Sequence, residues 1–290
     1  MRPQARKGAI AVQIAFQGER GAYSEDAVYR AFGSDAGALP CPSFAAAFDA
    51  IERGDVPAGV LPVENSQAGS VLDVYDLLMA RDMAVVGEIQ VPVNHCLLAL
   101  EGQTIGDLAE VMSHPQALAQ CAAYLEGLGV PPRAAYDTAG SARIVATEGL
   151  RGVGAIASER ASRIYGLEVL ARGIQTVKDN YTRFFVLVPR DAAVPAGLQA
   201  GGPPDKTSVV FGLPHEAGAL YRAMGAVSTR GLNMTKIESR PSRQTPWEYV
   251  FYLDFLGDPE ERPVRRALEE LAFHASFLKV LGTFPKAVID

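Results

Sequence analysis

The chain predicts an α/β protein carrying a second, smaller βαββαβ domain. From Ile10 to Pro189 short β-branched runs alternate with amphipathic segments of helical period. The stretch "PRDAAVPAGLQAGGPPDK" then interrupts with Pro, Gly and Ala and few large apolar residues, as an interdomain linker does. After Lys206 the order becomes strand, helix, two strands, helix and strand, ending near Pro285.

In the first region strands are expected at "IAVQIAF" (10–16), "AGVLPV" (58–63), "EVMS" (110–113), "RAAY" (133–136), "GVGAIA" (152–157) and "RFFVLV" (183–188). Helices are expected from Ser24 to Phe32, Phe44 to Arg53, Ser70 to Arg81, Pro115 to Leu128, Ser141 to Glu148 and Glu159 to Tyr165. Alternating strand and helix argues for parallel units with helices on the sheet faces rather than a sandwich. In the second region "KTSVVFGLP", "LNMTKIESRP", "WEYVFYLDFLG" and "FLKVLGTFP" read as strands. The helices are "EAGALYRAMGAVSTRG" and "PEERPVRRALEELAFHA", completing a ferredoxin-like plan.

With 290 residues, 48% of them hydrophobic and 21% charged, the chain can bury a sizeable core in two or three domains. A net charge of −6 without a basic stripe argues against a nucleic-acid partner, so an anion has to be recognised locally. The amino-terminal stretch reads as a short tail, and no apolar run reaches the roughly 18–20 residues of a membrane span. Cys41, Cys96 and Cys121 are odd in number and widely spaced, which predicts buried thiols in a reducing cytoplasm. No two of His95, His114, His215 and His274 have ligand spacing, so no metal is expected, and no cofactor either.

The chemistry concentrates where strands pass into helices. A Ser or Thr stands at four such junctions: "AFQGERGAYSEDA", "VLPVENSQAGSVLDV", "YDTAGSARIV" and "GAIASERAS". Helix N-termini carry unsatisfied N–H groups and partial positive charge, so several converging ends can hold an anion without a formal cation. Singly, Ser24, Thr138 and Ser158 are ordinary N-cap residues. Glu64, Asn65 and Ser66 point further toward a ligand: three polar groups follow an apolar run, and only one can cap. In "SHPQALAQCAAYL", Gln116 and Gln120 share a helix face, and His114 reads as a hydrogen-bonded structural residue.

Taken in order, "GERGAYSEDA" (18–27), "PVENSQAGSV" (62–71), "SHPQALAQC" (113–121), "DTAGSA" (137–142), "GAIAS" (154–158) and "NYTRFFVL" (180–187) resemble prephenate dehydratase. "GAL" (218–220) and "NMTKIESRP" (233–241) resemble the ACT regulatory domain such enzymes carry. The resemblance implies a catalytic domain over 10–189 built as two lobes, similar to type II periplasmic binding proteins, with the active site between them. The lobes would take approximately 10–91 with 175–189, and 92–174; 190–205 would link them to an ACT domain over 206–285. The implied reaction converts prephenate to phenylpyruvate, water and carbon dioxide, with feedback control by phenylalanine. The implied assembly is a homodimer or homotetramer. With no chorismate mutase segment ahead of Ile10, the chain resembles the monofunctional form.

By similarity, Thr182 of "TRF" assists the departing hydroxyl, Phe184 walls the ring and Arg183 is available to the carboxylates. A threonine hydroxyl is too weakly acidic to release a full proton at neutral pH, so Thr182 donates a hydrogen bond or relays a proton. Glu64, if desolvated, is the alternative proton source. Strand alternation turns Arg183 away from the face Thr182 shows; either this end is not a regular strand or Arg183 is structural. Asn65 and Ser66 complete the implied catalytic group, and Gly21, Ser24, Thr138, Ser141, Ser158 and Asn180 the implied substrate shell.

In the ACT-like region the implied effector site takes Gly218, Ala219 and Leu220 at a helix start, with Asn233 and Glu238, Ser239, Arg240 and Pro241 completing it. Two residues depart from the family's usual proline: Arg20, which would add a cation near the glycine loop, and Ala217, which would loosen the effector loop. Arogenate in place of prephenate, and a non-catalytic amino-acid sensor, are the competing readings.

Overall fold

A computed structural model describes residues 12–199, 202–242 and 249–287. The expected strand starts at Ile10 and Trp247, and linker residues 200 and 201, lie outside the described residues. The first sheet holds β1 (Gln13–Gln17), β2 (Gly37–Cys41), β3 (Ala58–Asn65), β4 (Gly69–Ser70), β5 (Met83–Pro92) and β11 (Tyr181–Pro189), in the order β2-β1-β3-β11-β5 with β4 paired to β3. Its helices are α1 (Tyr23–Phe32), α2 (Phe44–Glu52) and α3 (Leu72–Ala80). The second sheet holds β6 (Cys96–Ala99), β7 (Glu110–Ser113), β8 (Pro132–Ala134), β9 (Val153–Ala157) and β10 (Glu168–Arg172), ordered β10-β6-β9-β7-β8. With it go α4 (Pro115–Gln120), α5 (Ala122–Leu128), α6 (Thr138–Glu148) and α7 (Glu159–Tyr165). Each sheet with its helices is one lobe: the chain leaves the first after β5 and returns to it only in β11.

Both sheets are mixed. Pairs around β1 and β7 are parallel, as alternating strand and helix require, but β6 runs antiparallel to β9 and β10, and β4 antiparallel to β3. Strands β5 and β6 come from "MAVVGEIQVPVNHCLLAL", where Gly87 and Pro92 interrupt the apolar residues, and β2 from "GALPC", whose Gly and Pro mask it. The helix expected over Pro115–Leu128 breaks at Cys121, whose φ of −106° and ψ of 11° leave the helical region and separate α4 from α5. No described helix is long and apolar enough to cross a membrane.

The third sheet comprises β12 (Lys206–Gly212), β13 (Met234–Pro241), β14 (Tyr249–Leu256) and β15 (Phe277–Phe284), ordered β13-β14-β12-β15. With α8 (Ala219–Ser228) and α9 (Arg262–His274) it makes the βαββαβ unit the sequence predicts. Val209, Phe211, Leu253 and Phe255 alternate onto one face and pack with Ala223 and Val227 of α8 and Val264 and Leu271 of α9.

By its internal contacts the chain divides into two compact units: one runs to Val74 and adds Gln90–Phe184 and Pro195–Gln199, the other takes Tyr75–Ile89, Phe185–Val194 and the C-terminal stretch. In the second unit the sheet face opposite α8 and α9 is also buried. Tyr252 packs at a tilt against Tyr75 with ring centroids 4.7 Å apart, Phe284 meets Phe185 at 5.3 Å, and Lys206 pairs with Glu88 at 2.8 Å, both nearly inaccessible to water.

Candidate active site

Within the first unit a cleft of 360 Å³ opens between the two lobes. The first lobe contributes Gln17, Phe44, Asn65 and Thr182; the second contributes His114, Gln116, Gln120 and Thr138, with His95 and Val93 where the chain crosses. Among the described residues its lining includes no Asp, Glu, Lys or Arg. The site is therefore built of uncharged donors on an apolar floor. A larger hollow of 640 Å³, between α4, α5 and β8, is apolar apart from Glu126 and brings no such groups together.

Asn65 organises the first lobe's side. Its Oδ1 accepts the backbone N–H groups of Gln67 and Ala68, both at 3.0 Å, so its Nδ2 must face the other way. There it donates to Asn180 Oδ1 at 2.8 Å, Thr182 Oγ1 at 3.0 Å and the Tyr181 carbonyl at 3.2 Å, two hydrogens shared over three acceptors. Because Nδ2 cannot accept, Thr182 receives this bond and keeps its own hydroxyl hydrogen for the cleft. Ser66 fixes the register beneath: its N–H donates to the Tyr181 carbonyl at 2.9 Å and its Oγ accepts the Tyr181 N–H at 3.0 Å.

β11 is regular from Tyr181, so alternation decides the neighbours of Thr182. Arg183 is buried and pairs with Glu64 at 3.0 Å, and neither lines the cleft, although both were expected near the substrate. Phe184, 1% exposed, lies in the core rather than on the cleft wall, and Phe44 supplies the ring there.

The other expected residues take structural positions around this centre. Thr138 reaches the cleft as the first residue of α6, while the cap is Asp137, whose side chain accepts the Gly140 N–H at 2.7 Å. Burial raises the Asp137 carboxyl above its usual range. Ser141 donates to the Asp137 carbonyl at 2.7 Å. Ser24 is a buried second residue of α1, whose cap position is Ala22. Ser158 does cap α7, accepting from Ala161 N–H at 3.1 Å, and donates to the Gly21 carbonyl at 2.6 Å. Gly21 sits at φ +88°, and a Cβ there would fall 2.8 Å from Ala161 Cα, so only glycine lets the loop of the first lobe lie on α7 of the second. Arg20, 63% exposed, approaches Glu25 and does not line the cleft.

Tyr23, His95 and Gln120 were not assigned to the site from the sequence. Gln120 accepts Asn180 Nδ2 at 3.1 Å and lies 2.9 Å from His95 Nε2; His95 Nδ1 lies 3.1 Å from the Tyr23 hydroxyl. Burial lowers the pKa of His95 and raises that of Tyr23 well above its usual value, so both are neutral near pH 7. The available signal for His95 was one imidazole inside the apolar run "VPVNHCLLAL"; for Gln120 it was the shared face with Gln116.

In the second unit a pocket of 140 Å³ opens before α8, lined by Leu213, His215, Ala219, Leu220, Tyr249 and Phe251 among others. Gly218 caps α8 in the left-handed region at φ +78°. Asn233, Glu238, Ser239, Arg240 and Pro241 do not line this pocket: the Asn233 carbonyl accepts the Leu256 N–H at 2.9 Å, Arg240 pairs with Asp76 at 3.0 Å, and Ser239 and Pro241 pair in register with Phe251 and Tyr249. Glu238 approaches Lys236 at 3.8 Å.

The family model described as prephenate dehydratase matches residues 14–192, more than half of the chain. "Arogenate dehydratase/prephenate dehydratase 2, chloroplastic" from Arabidopsis thaliana is 44% identical, over 94% of this chain and 73% of its own length. Among solved structures, one described as "GqqA- a novel type of quorum quenching acylases" is 37% identical with a TM-score of 0.85, covering 94% of this chain and 97% of that one. The prephenate dehydratase of Arthrobacter aurescens, solved in complex with L-Phe, is 28% identical with a TM-score of 0.85, covering 95% and 90%. The expected cytoplasmic address does not stand, because the Arabidopsis relative is chloroplastic by name. Three free, buried thiols are compatible with any compartment that leaves cysteines reduced and do not select one. Family model, relatives and cleft agree: the chain belongs to the prephenate dehydratase family and is a dehydratase of the prephenate/arogenate class.

Proposed function

We propose that the chain acts on prephenate rather than arogenate, releasing water and carbon dioxide to leave phenylpyruvate, with Thr182 assisting the departing hydroxyl. The observation that carries this reading is the uncharged lining of the cleft. Arogenate bears an ammonium group that a carboxylate would recognise, and the described lining offers none; prephenate bears two carboxylates and a keto group, which amide and hydroxyl donors suit. Uncharged donors also suit the reaction. A rigid salt bridge to the carboxylate that leaves would stabilise the ground state and slow its loss.

In this reading Asn65 occupies the Thr182 oxygen, so the Thr182 O–H donates into the cleft toward the ring hydroxyl. Carbon dioxide departs as the carbon–carbon bond breaks; its electron pair enters the ring, the carbon–oxygen bond breaks, and the hydroxyl leaves as water with a proton drawn from solvent and relayed through the Thr182 hydroxyl. Thr138 at the start of α6, Gln17 and Gln116 hold the carboxylates, and Phe44 lies against the ring. An acylase reading, raised by the similar acylase, has less support, since the Thr182 oxygen meets an amide donor where a nucleophile would need a base.

The domain reading proposed alongside is a catalytic domain over 10–189, a linker over 190–205 and an ACT domain over 206–285. Phenylalanine control through the pocket before α8 is supported by the L-Phe complex of the Arthrobacter relative and by the small residues Gly218 and Ala219 at the helix start. Pairing with a second copy is supported by edge strand β13, which leaves Ile237 51% exposed. The test is turnover of prephenate and arogenate side by side, with and without phenylalanine. The expected result is a kcat/KM for prephenate higher by about tenfold or more; an arogenate preference overturns the substrate assignment, and unchanged rates with phenylalanine overturn the control.

A further inference from the structure

The polarity of the hydrogen-bonded chain behind Thr182 is set at one end and read at the other. The backbone N–H groups of Gln67 and Ala68 fix Asn65 Oδ1, so Asn65 Nδ2 donates to Asn180 Oδ1 at 2.8 Å. Asn180, 1% exposed, must then present its own Nδ2 to Gln120 Oε1 at 3.1 Å. Gln120 Oε1 is therefore an acceptor, and the ring nitrogen 2.9 Å away, His95 Nε2, must carry the proton. Nδ1 is left as an acceptor 3.1 Å from the Tyr23 hydroxyl, whose single hydrogen is shared between it and the Asn94 carbonyl at 2.8 Å. His95 is 2% exposed, so no solvent alternative competes.

We infer that His95 is a positioning residue of the dehydratase: as the neutral Nε2–H tautomer it donates to Gln120 and, through Asn180 and Asn65, holds the Thr182 hydroxyl aimed into the cleft. This rests on the assignment of Thr182 as the group that assists the departing hydroxyl. Without the His95 donor, Gln120 is free to turn its amide. Its NH2 would then face the Asn180 Nδ2, two donors in opposition, and Asn180 would lose the acceptor that holds its Oδ1 against Asn65 Nδ2. The lesion falls on orientation during reaction, so kcat drops while KM changes little.

The test uses two substitutions of similar size. His95→Gln extends an amide donor to the position of Nε2, whereas His95→Asn reaches only the position of Nδ1. The expected result is kcat within about threefold of the native enzyme for His95→Gln and a loss of about 10- to 100-fold for His95→Asn, with KM little changed. In a Thr182→Ala background, His95→Asn is expected to add no further loss. Equal losses in the two His95 variants, or none in either, overturn the inference; so does a loss that multiplies with that of Thr182→Ala. A native rate in Thr182→Ala alone identifies the Thr182 assignment as the part that fails. Nitrogen-15 shifts of the His95 ring in the native enzyme give a readout independent of folding: the Nε2–H tautomer is expected, and the Nδ1–H tautomer or an imidazolium at pH 7 overturns the inference.

Discussion

Asn65 donates to the Thr182 hydroxyl oxygen at 3.0 Å although 117 residues separate them. That bond makes a hydroxyl, which can both give and accept, into a committed donor toward the cleft. Thr182→Ala should therefore fold normally and lose about 100-fold or more in kcat, while Thr182→Ser retains most of the rate. Steady-state turnover on prephenate with a thermal melt as control measures both; a fully active alanine variant refutes the role.

Asn65→Asp keeps the shape and the acceptor toward Gln67 and Ala68 but removes the donor that Asn180 Oδ1, Thr182 and the Tyr181 carbonyl share. A buried oxygen left facing a carboxylate costs about 1–3 kcal/mol. The variant should melt at lower temperature and turn over substrate more slowly than Asn65→Ala. If Asn65→Asp matches the native enzyme in both respects, the donor carries no weight.

Gly21→Ala meets two obstacles at once, a positive φ of +88° and the Ala161 backbone 2.8 Å from the new Cβ. Strained left-handed backbone alone costs about 1–3 kcal/mol. A lower thermal midpoint is expected, with activity falling because the loop can no longer rest on α7. An unchanged midpoint would mean the loop gives way freely.

Lys206 and Glu88 form a buried pair at 2.8 Å, with Glu88 also accepting the Ala287 N–H at 3.2 Å. Lys206→Met strands the carboxylate and should cost about 3–5 kcal/mol, whereas replacing both partners by apolar residues should recover much of it. Denaturant unfolding of the single and double variants distinguishes a stranded charge from lost packing, since packing loss would not be recovered.

Burial holds the His95 pKa below its ordinary 6.5. The folded chain thus binds fewer protons than the unfolded chain between the lowered value and about 6.5. The stability from this site is whole above that upper limit and declines as pH falls through the window. Asp26 and Asp137, raised by burial, act with the opposite sign at lower pH. Unfolding free energy measured from pH 7.5 to 5 should fall less steeply in His95→Gln; identical slopes would exclude His95 as the source.

The sequence disclosed the parts of the site that hydrogen-bond locally. Ser158 could be read as a cap because a cap needs only the three residues that follow it. Thr138 was placed at the right junction but one residue past the true cap, Asp137, since either side chain satisfies the local pattern. The partition of Thr182 from Arg183 needed the strand to be regular, which depends on pairing with β3, far away in sequence. His95 stood out as an imidazole in an apolar run, but its partners come from α1 and α4, and nothing near it in the chain announces them.

In the first sheet β11 lies between β3 and β5, although β5 is complete by Pro92 and β11 begins at Tyr181. A growing chain on the ribosome therefore carries β5 with its neighbouring slot vacant while the whole second lobe is synthesised. The strand that fills that slot also brings Thr182, so the hydroxyl proposed to assist the reaction arrives with the strand that completes this sheet, after every strand of the second sheet has been made.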